Sequence, residues 1–182
     1  MAENLNTGTY RNGDPIPRGL SDSQWNTAGT SSGIFGACTN FNNNEQNSCP
    51  FGKLYNFYAV TDPRNLCPTR WHVPTDDEWT ILTSFLGGEE IAGGKMKSTG
   101  LQYWNSPNQD ASNESGFSGL AGGMRYNFGL FDLSGFFGLW WSSTSLDGGG
   151  LAWFRSLSYS TDDVQRGNNS WEFGYSIRCL KD

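Results

Sequence analysis

Glycine is the residue that most constrains how this chain can fold. The 182 residues include 24 glycines, and they are spread so that few apolar runs reach the length of an ordinary helix. Glycine weakens the interior of helices and strands, whereas it suits turns and close backbone approaches. We therefore expect short helices and strands joined by long irregular loops. A chain of this length is predicted to form one domain over residues 1–182.

Aromatic residues supply much of the large apolar surface. There are 12 Phe, 8 Trp and 7 Tyr, although hydrophobic residues make up only 36% of the sequence. Disordered chains have few aromatics, and coiled coils need apolar heptads, so both classes are excluded. The net charge is −6, with no cluster of Lys and Arg, which excludes a nucleic-acid partner. No apolar run approaches the roughly 20 residues that span a bilayer, so no transmembrane segment is expected.

The clearest local signal is a capped helix in the middle of the chain. Thr75 is a good N-cap, and Glu78 three residues later completes a capping box. Apolar residues from Trp79 onward then follow helical spacing until residues 87–88, a pair of glycines. A second, shorter helix is predicted over residues 89–96.

Strand signals lie on both sides of these helices. Residues 53–60 form an aromatic and β-branched run that predicts a strand. Residues 98–138 show no regular period and are interpreted as a long functional loop. Further strands are predicted over residues 139–143, 152–159, 163–166 and 174–180, with turns at 148–150 and 167–169. Together these signals predict an α+β domain with one or two helices, a small antiparallel sheet and long irregular loops.

The last third of the chain carries the candidate binding site. In the strand predicted over residues 152–159, alternation places Trp153, Arg155 and Tyr159 on one face, and one of the two faces must stay partly open. Aromatic and planar polar groups on a rigid sheet suit a carbohydrate or protein ligand. Trp140 and Trp141, by contrast, are predicted to be core residues. The predicted ligand-binding residues are Asp147, Trp153, Arg155, Tyr159, Asp162, Arg166, Asn168, Asn169 and Trp171.

Metal binding and catalysis are the alternative chemistries. Calcium prefers about six to eight oxygen ligands, and Asp110, Asn113 and Glu114 offer several within one loop, so they are the candidate calcium ligands. No other cofactor is expected. His72 is the only histidine, and we interpret it as structural because it directly precedes the capped helix. Ser/His and Cys/His catalysis then lack a base, so we predict a protein that is not an enzyme.

The four cysteines, Cys38, Cys49, Cys67 and Cys179, do not form the Cys-x-x-Cys pairs of zinc sites. An even number in a chain rich in Asn and Ser predicts two disulfides and an oxidising compartment. Four cysteines allow three pairings, which the sequence does not distinguish. The first residues lack the basic and apolar parts of a signal peptide. Either the sequence is a processed or trimmed form of an exported protein, or the protein is not exported.

Several segments carry distinctive motifs, of which Trp71-His72-Val73-Pro74-Thr75 is an example. Together they resemble one family, the Fibrobacter succinogenes major paralogous domain, which occurs mainly in exported and surface proteins of Bacteroidota and Fibrobacterota. The family motif usually begins inside a longer polypeptide, so the resemblance implies that Met1 is internal to a precursor. The matching stretches are residues 1–5, 14–17, 52–60, 66–79, 92–97, 113–117, 122–125, 140–144, 152–155 and 174–179.

The resemblance implies a C-type-lectin-like fold. The motifs at residues 71–75 and 174–179 are similar to segments of the formylglycine-generating enzymes, which have that fold. In such domains a cysteine near the first helix is joined to one on the last strand, which corresponds to Cys67 and Cys179. Cys38 and Cys49 are then left as the second pair. Those enzymes work through a reactive cysteine pair, so a Cys67–Cys179 bridge implies that their activity is not shared.

On this resemblance we expect an extracellular or cell-surface module, in a secreted protein or a lipoprotein, that binds or adheres to a carbohydrate or protein ligand. The alternative is a structural subunit of a larger surface assembly or filament, with neighbouring subunits as partners. Two further alternatives are less favoured: a receptor-binding protein diversified by a retroelement, and an enzyme. An enzyme would need a pocket that brings together two or more of Asp110, Glu114, Asp162, Asp163, Arg155 and His72.

Overall fold

The computed structural model describes residues 3–29, 33–146 and 149–182. They form an α+β fold, as the sequence predicts, around one five-stranded sheet, and two further sheets have two strands each. None of the described helices is long and apolar enough to cross a membrane. The helices are α1 (Asp22–Thr27), α2 (Phe57–Val60), α3 (Asp76–Phe85) and α4 (Glu89–Met96), with 3-10 turns at Phe41–Asn43 and Glu45–Ser48. The strands are β1 (Cys38–Thr39), β2 (Leu54–Tyr55), β3 (Trp71–His72), β4 (Gly122–Arg125), β5 (Phe131–Ser134), β6 (Phe137–Ser145), β7 (Leu151–Ser158), β8 (Val164–Ser170) and β9 (Leu180–Lys181).

The large sheet has the strand order β5-β4-β6-β7-β8, so β5 and β8 are its edges. Its paired strands are antiparallel except β4 and β6, which are parallel. The last three strands form a meander in which Trp140 lies opposite Arg155, and Arg155 lies opposite Arg166. The strands predicted over residues 139–143 and 152–159 are confirmed.

Three predictions about strands need correction. Residues 98–138, interpreted as a loop, contain β4, β5 and the start of β6, which are too short to show a period. Residues 174–180, predicted as a strand, make mostly isolated bridges. The turn predicted at residues 167–169 lies inside β8. Gly167 serves a close approach there, because a Cβ would lie 2.7 Å from the ring of Phe154.

Helices α3 and α4 form where the sequence predicts them. The Thr75 hydroxyl accepts a hydrogen bond from the Glu78 N–H at 3.2 Å, and the Glu78 carboxylate accepts one from the Thr75 N–H at 2.8 Å. This reciprocal pair is the predicted capping box. In α4, a Cβ on Gly93 would lie 2.1 Å from the carbonyl oxygen of Asp163. The glycine therefore lets α4 approach the chain just before β8.

The strand predicted over residues 53–60 is replaced by two elements. Only β2 is extended, and α2 begins at Phe57. The Asn56 side chain caps this helix by accepting a hydrogen bond from the Ala59 N–H at 3.1 Å. Asn56 also accepts one from the Ala37 N–H at 2.8 Å. A single asparagine thus turns an apparently continuous strand into a helix start.

Apolar cores cover both faces of the sheet. Neighbouring residues of a strand point to opposite faces, and Trp140 and Trp141 on β6 are both fully buried in different clusters. Trp141 packs against Tyr175 with ring centroids 4.3 Å apart. Trp140 packs against Phe117 at 5.3 Å, in the cluster that includes residues of α3 and α4. Both tryptophans are core residues, as predicted. We call the side of the sheet that carries Trp140, α3 and α4 the helix face.

A disulfide and buried polar groups hold the ends of the chain to the sheet. Cys67 and Cys179 are bonded, with Cα atoms 5.8 Å apart, which confirms the pairing implied by the resemblance. The Asn4 Oδ1 accepts hydrogen bonds from Trp140 Nε1 at 2.9 Å and from Arg178 Nε at 2.7 Å. The N-terminal segment, β6 and the last segment therefore share one buried network.

The second predicted disulfide, between Cys38 and Cys49, is wrong. Both thiols are free: Cys38 is buried on β1, opposite Tyr55, whereas Cys49 is exposed after the second 3-10 turn. Burial raises the pKa of the Cys38 thiol to about 11. This thiol therefore stays protonated at neutral pH and packs as a core residue.

Candidate binding surface

One end of the helix face stays open to solvent. Leu157 of β7 and Val164 of β8 are buried in the cluster shared with α3 and α4. At the other end of the same strands Leu151 is 42% exposed, and Asn168 is also exposed. Trp153 and Arg166 lie between these ends. In register, Leu151 faces Ser170, Trp153 faces Asn168, Arg155 faces Arg166 and Leu157 faces Val164.

We call the open end the distal surface and define it by Leu151, Trp153, Arg166 and Asn168. Its centre is a stack in which the Arg166 guanidinium carbon lies 3.4 Å from the centroid of the Trp153 ring. Such a contact combines cation–π attraction with planar stacking. The Arg166 side chain remains 38% exposed. The distal surface therefore presents aromatic, cationic, amide and aliphatic groups side by side.

Asp76 holds Arg166 in this position. Arg166 donates from Nε and Nη2 to Asp76 Oδ2, at 3.0 and 2.8 Å. Burial alone would raise the pKa of Asp76, but hydrogen bonds from Arg166 and Arg155 outweigh it and lower that pKa below its usual value. The hydrogen bond to Asp76 also raises the pKa of Arg166. The stacked guanidinium is thus anchored by a carboxylate that stays ionised at neutral pH.

Arg155 is not part of the distal surface. Its side chain is only 1% exposed. It donates to Asp76 Oδ1 and, at 2.9 Å, to the Thr80 hydroxyl. The prediction that Arg155 lies on an open face is wrong, because α3 covers this part of the strand. Its role in the structure is to hold Asp76, which in turn holds Arg166.

Two other predicted ligand-binding residues point to the opposite face of the sheet. The Asn169 Nδ2 donates to the Tyr175 hydroxyl at 2.8 Å. Trp171 packs against Phe57, with ring centroids 5.1 Å apart. Because side chains alternate along β8, residues two apart from Asn168 share its face and Asn169 does not.

Two more predicted ligand-binding residues, Tyr159 and Asp162, are also separate from the distal surface. Tyr159 packs edge-on against Phe136, with ring centroids 5.2 Å apart. The backbone carbonyl of Asp162 accepts a hydrogen bond from the Gly94 N–H at 3.0 Å, at the start of β8. Asp147 lies outside the described residues. The structure therefore groups Trp153, Arg166 and Asn168 out of the larger predicted set.

The candidate calcium ligands are either bonded within their own loop or exposed to solvent. Asn113 is used within its own loop, where Oδ1 accepts from the Ser118 N–H at 2.7 Å and Nδ2 donates to the Ser118 hydroxyl at 2.9 Å. Asp110 and Glu114 are exposed. Among the described residues, no group of three or more His, Cys, Asp or Glu side chains could hold a metal ion. The residues do not fit a preformed calcium site, and calcium binding stays a prediction.

A buried lysine lies close to the same loop. Lys97 Nζ donates to the backbone carbonyl of Ser158 at 2.9 Å and to that of Thr161. Burial lowers the pKa of Lys97 to about 8, although nearby carboxylates favour its charged form. The ammonium group thus provides an internal positive charge in an acidic region. These carboxylates belong to Asp162, Asp110 and Asp163.

His72 lies between two carboxylates. Its Nδ1 is 2.6 Å from Asp182 Oδ1, and its Nε2 is 3.0 Å from Glu78 Oε1. The hydrogen bond to Asp182 raises the pKa of His72, partial burial opposes this rise, and Glu78 adds to it. The contacts tie β3 to α3, which agrees with a structural role. Neither carboxylate belongs to the set of residues that an enzyme would need to bring together in a pocket.

A cleft of about 420 Å³ lies beside the N-terminal segment. Tyr103, Asn6 and the exposed thiol of Cys49 line it, together with Arg178. The Arg178 guanidinium donates to the backbone carbonyls of Phe117 and Ser118, at 2.6 and 3.1 Å, and so holds the neighbouring loop. None of the predicted ligand-binding residues lines this cleft.

Comparison with known protein families identifies the kind of domain. The family model of the Fibrobacter succinogenes major domain matches residues 1–181. The chain belongs to this family. No curated protein and no solved structure matches it. The described parts of the family domain therefore include α3, the Cys67–Cys179 bridge and the distal surface.

Two residues that build the site, Asp76 and Leu151, are absent from the predicted ligand-binding residues. Asp76 is accounted for by its position at the start of a helix, and nothing in the sequence indicates that it also anchors an arginine far along the chain. For Leu151, the sequence does contain a signal that could have identified it. It precedes Trp153 by two residues, so strand alternation places both on one face.

Proposed function

We propose that this family domain is a non-enzymatic extracellular or cell-surface module that binds a protein ligand through the distal surface. The observation that carries the proposal is the stack of Arg166 on Trp153 at 3.4 Å, beside the exposed Leu151 and Asn168. Trp and Arg are enriched among the residues that dominate binding energy at protein interfaces. The guanidinium already covers one face of the indole, which leaves less of the ring for a sugar. A protein ligand is therefore favoured over a carbohydrate.

The rigidity of the stack supports this proposal. Long side chains lose rotational freedom when they bind, which costs about 0.5–1.5 kcal/mol for each one that is immobilised. Arg166 is already held by Asp76 and by the ring of Trp153. Much of the ordering cost is therefore met in the free protein. Asp76 itself is fixed by Arg155 and by the N-terminal turn of α3.

The extracellular location rests on the disulfide and on the family. Stable disulfides are typical of secreted and surface proteins, and the Cys67–Cys179 bridge joins segments 112 residues apart. The family resemblance points to the same location. We also propose that the fold is C-type-lectin-like, since the bridge connects the segment before the capped helix α3 to the last segment of the chain.

A binding screen with matched variants tests the proposal. The wild-type domain is presented to arrays of bacterial and host surface proteins and to a glycan array, with calcium and with a chelator. The variant Arg166→Lys keeps the charge but loses the planar stack and the fork of donors. Phe85→Ala is the control, because Phe85 is 85% exposed on α3 and lies outside the distal surface.

The expected result is a protein ligand that binds the wild type and Phe85→Ala equally and binds Arg166→Lys more weakly. Binding to glycans alone would contradict the protein ligand and would identify a carbohydrate as the ligand. Loss of binding in the chelator would establish that calcium takes part in ligand binding. Absence of any ligand on both arrays, or equal binding by Arg166→Lys, would overturn the proposed site.

A further inference from the structure

The hydrogen bonds of β8 reveal which of its backbone groups face outward. In an antiparallel pair, alternate residue pairs exchange hydrogen bonds, and the pairs between them do not. The Trp171 N–H donates to the Gly150 carbonyl at 3.1 Å, in the same register as the rest of β7 and β8. Counting by twos from Trp171, Asn169, Gly167 and Gln165 are the residues of β8 that bond to β7. The N–H and C=O groups of Arg166 and Asn168 therefore point away from the sheet.

This outer edge is open at its centre. Arg166 and Asn168 are exposed, and their backbone groups have no hydrogen-bond partner within the part of the chain that the structure describes. The next outward N–H, that of Ser170, is occupied locally by Asn169 Oδ1 at 2.9 Å. Helix α4 packs beside β8, where the Gly94 N–H bonds to the Asp162 carbonyl just before the strand, and the Glu89 carboxylate favours the charged form of Arg166. None of these contacts uses the outward backbone groups of Arg166 and Asn168. The middle of β8 can therefore accept another strand.

The edge also lacks the usual features that prevent pairing. Natural edge strands are commonly interrupted by bulges, Pro or Lys. The opposite edge, β5, is only four residues long and contains Leu133 at φ +65°. By contrast, β8 keeps a continuous register with β7 over its seven residues and contains neither Pro nor Lys. Its one charged residue, Arg166, is held back by Asp76.

We propose that two copies of this chain associate through β8, edge to edge and antiparallel, about a two-fold axis at Gly167. In this register Arg166 of each copy lies opposite Asn168 of the other, and the outward groups of both residues exchange N–H···O=C bonds. The inference does not depend on ligand binding. It adds a self-association surface to the domain and fits the alternative expectation of a surface assembly.

Charge and hydrogen bonding select this register among those that use the same outward groups. A register in which Arg166 faces itself places like charges opposite each other, which is destabilising. A register in which Asn168 faces itself pairs Arg166 with Ser170, whose N–H is already occupied. The register at Gly167 pairs the open groups of Arg166 and Asn168 with each other, and the occupied Ser170 N–H lies outside these two central pairs, opposite Val164.

The position of the helices on the helix face also favours a second copy of this chain as the partner of the β8 edge. Antiparallel pairing places the end of β8 near α4 in one copy beside the open end in the other. The α4 helices of the two copies therefore lie at opposite ends of the new pair. A two-fold axis perpendicular to the sheet puts both distal surfaces on one side, so a dimer would present them together and gain avidity.

Sedimentation velocity and amide hydrogen exchange, measured over a wide range of protein concentration, test the proposal. We expect a reversible monomer–dimer equilibrium. The amides of Arg166 and Asn168 should become protected as the dimer forms, whereas those of Gln165 and Gly167, already bonded to β7, should not change. A monomer at all concentrations, or a dimer in which the amides of Arg166 and Asn168 stay unprotected, would overturn the proposal.

Variants at Asn168 test the register. The Asn168 side chain is exposed, so its substitution should leave the monomer folded. Asn168→Lys places a positive charge opposite Arg166 of the second copy and should weaken the dimer. Asn168→Glu places a negative charge there and should strengthen it. Two symmetric cross-strand pairs correspond to about a two- to thirtyfold change in dissociation constant in each direction.

The exposed residue Gln102 provides a matched charge control. Gln102→Lys adds the same charge outside β8 and should leave the equilibrium unchanged. Equal weakening by Gln102→Lys and Asn168→Lys would attribute the effect to net charge and would contradict the proposed register. Weakening by both Asn168→Lys and Asn168→Glu would contradict it as well, since Arg166 should distinguish the two charges.

Discussion

Reduction of the Cys67–Cys179 bridge should remove a large part of the stability of this domain. The bridge spans a sequence separation of 112 residues. In the chain-entropy account, cross-linking reduces the entropy of the unfolded chain by about 2.1 + 1.5R ln n cal/mol/K. For a loop of this size the stabilisation at 25 °C is about 5 kcal/mol. Since domains are stable by only about 5–15 kcal/mol, the loss should be severe.

Urea unfolding with and without a reductant measures this loss, because reduction leaves every other side chain unchanged. The variant Cys38→Ala/Cys49→Ser is the control. It lacks both free thiols and should remain as sensitive to reductant as the wild type. Stability that does not respond to reductant, or a response that disappears in this control variant, would refute the assigned pairing and the reasoning from loop size.

Three further predictions concern the surroundings of α3 and α4. Asp76→Asn leaves Arg155 buried without its carboxylate, so urea unfolding should show a loss of about 3–5 kcal/mol. Asp182 and Glu78 raise the folded-state pKa of His72. Their stabilisation is therefore complete below the unfolded pKa of about 6.5 and is lost as pH rises through the folded value, and His72→Gln should flatten this dependence of unfolding free energy on pH. Gly93→Ala should lower the Tm although Ala favours helix by about 1 kcal/mol, because its Cβ would lie 2.1 Å from the Asp163 carbonyl oxygen.

Local sequence signals predict the elements whose stability is local. The capping box of Thr75 and Glu78 lies within one turn, so it identifies α3 without knowledge of the rest of the fold. Alternation similarly identifies β6 and β7. The predicted strand over residues 53–60 fails because Asn56 caps α2 and bonds to Ala37, and this tertiary contact outweighs the β propensity of the run.

Long-range contacts explain most of the other differences. Gly167 and two adjacent asparagines are typical of a turn, yet packing of Phe154 against Gly167 keeps these residues in β8. The free Cys38 and Cys49 show that an even number of cysteines does not imply complete pairing. The Cys67–Cys179 pairing was accessible only through resemblance to a family, since spacing alone allows three arrangements.

The candidate site was predictable in part for the same reason. Alternation along β7 identifies Trp153, and the polar composition of β8 draws attention to Arg166 and Asn168. The burial of Arg155 depends on α3, which lies far away in sequence and contacts β7 at Arg155. The hydrogen bonds from Arg166 to Asp76 likewise join residues that are far apart in the sequence, with strands β4 to β7 between them. This contact can therefore be found only in the folded structure.

The most direct test of the proposed function is the affinity of the protein ligand for three forms of the domain: wild type, Trp153→Ala and Phe85→Ala. Removal of an aromatic residue at the centre of an interface typically costs about 2 kcal/mol or more, which is roughly a thirtyfold increase in Kd. We predict an increase of this size for Trp153→Ala and no change for Phe85→Ala. Both variants should remain folded under the conditions of the binding assay. Equal affinities of wild type and Trp153→Ala would contradict the claim that the distal surface is the binding site.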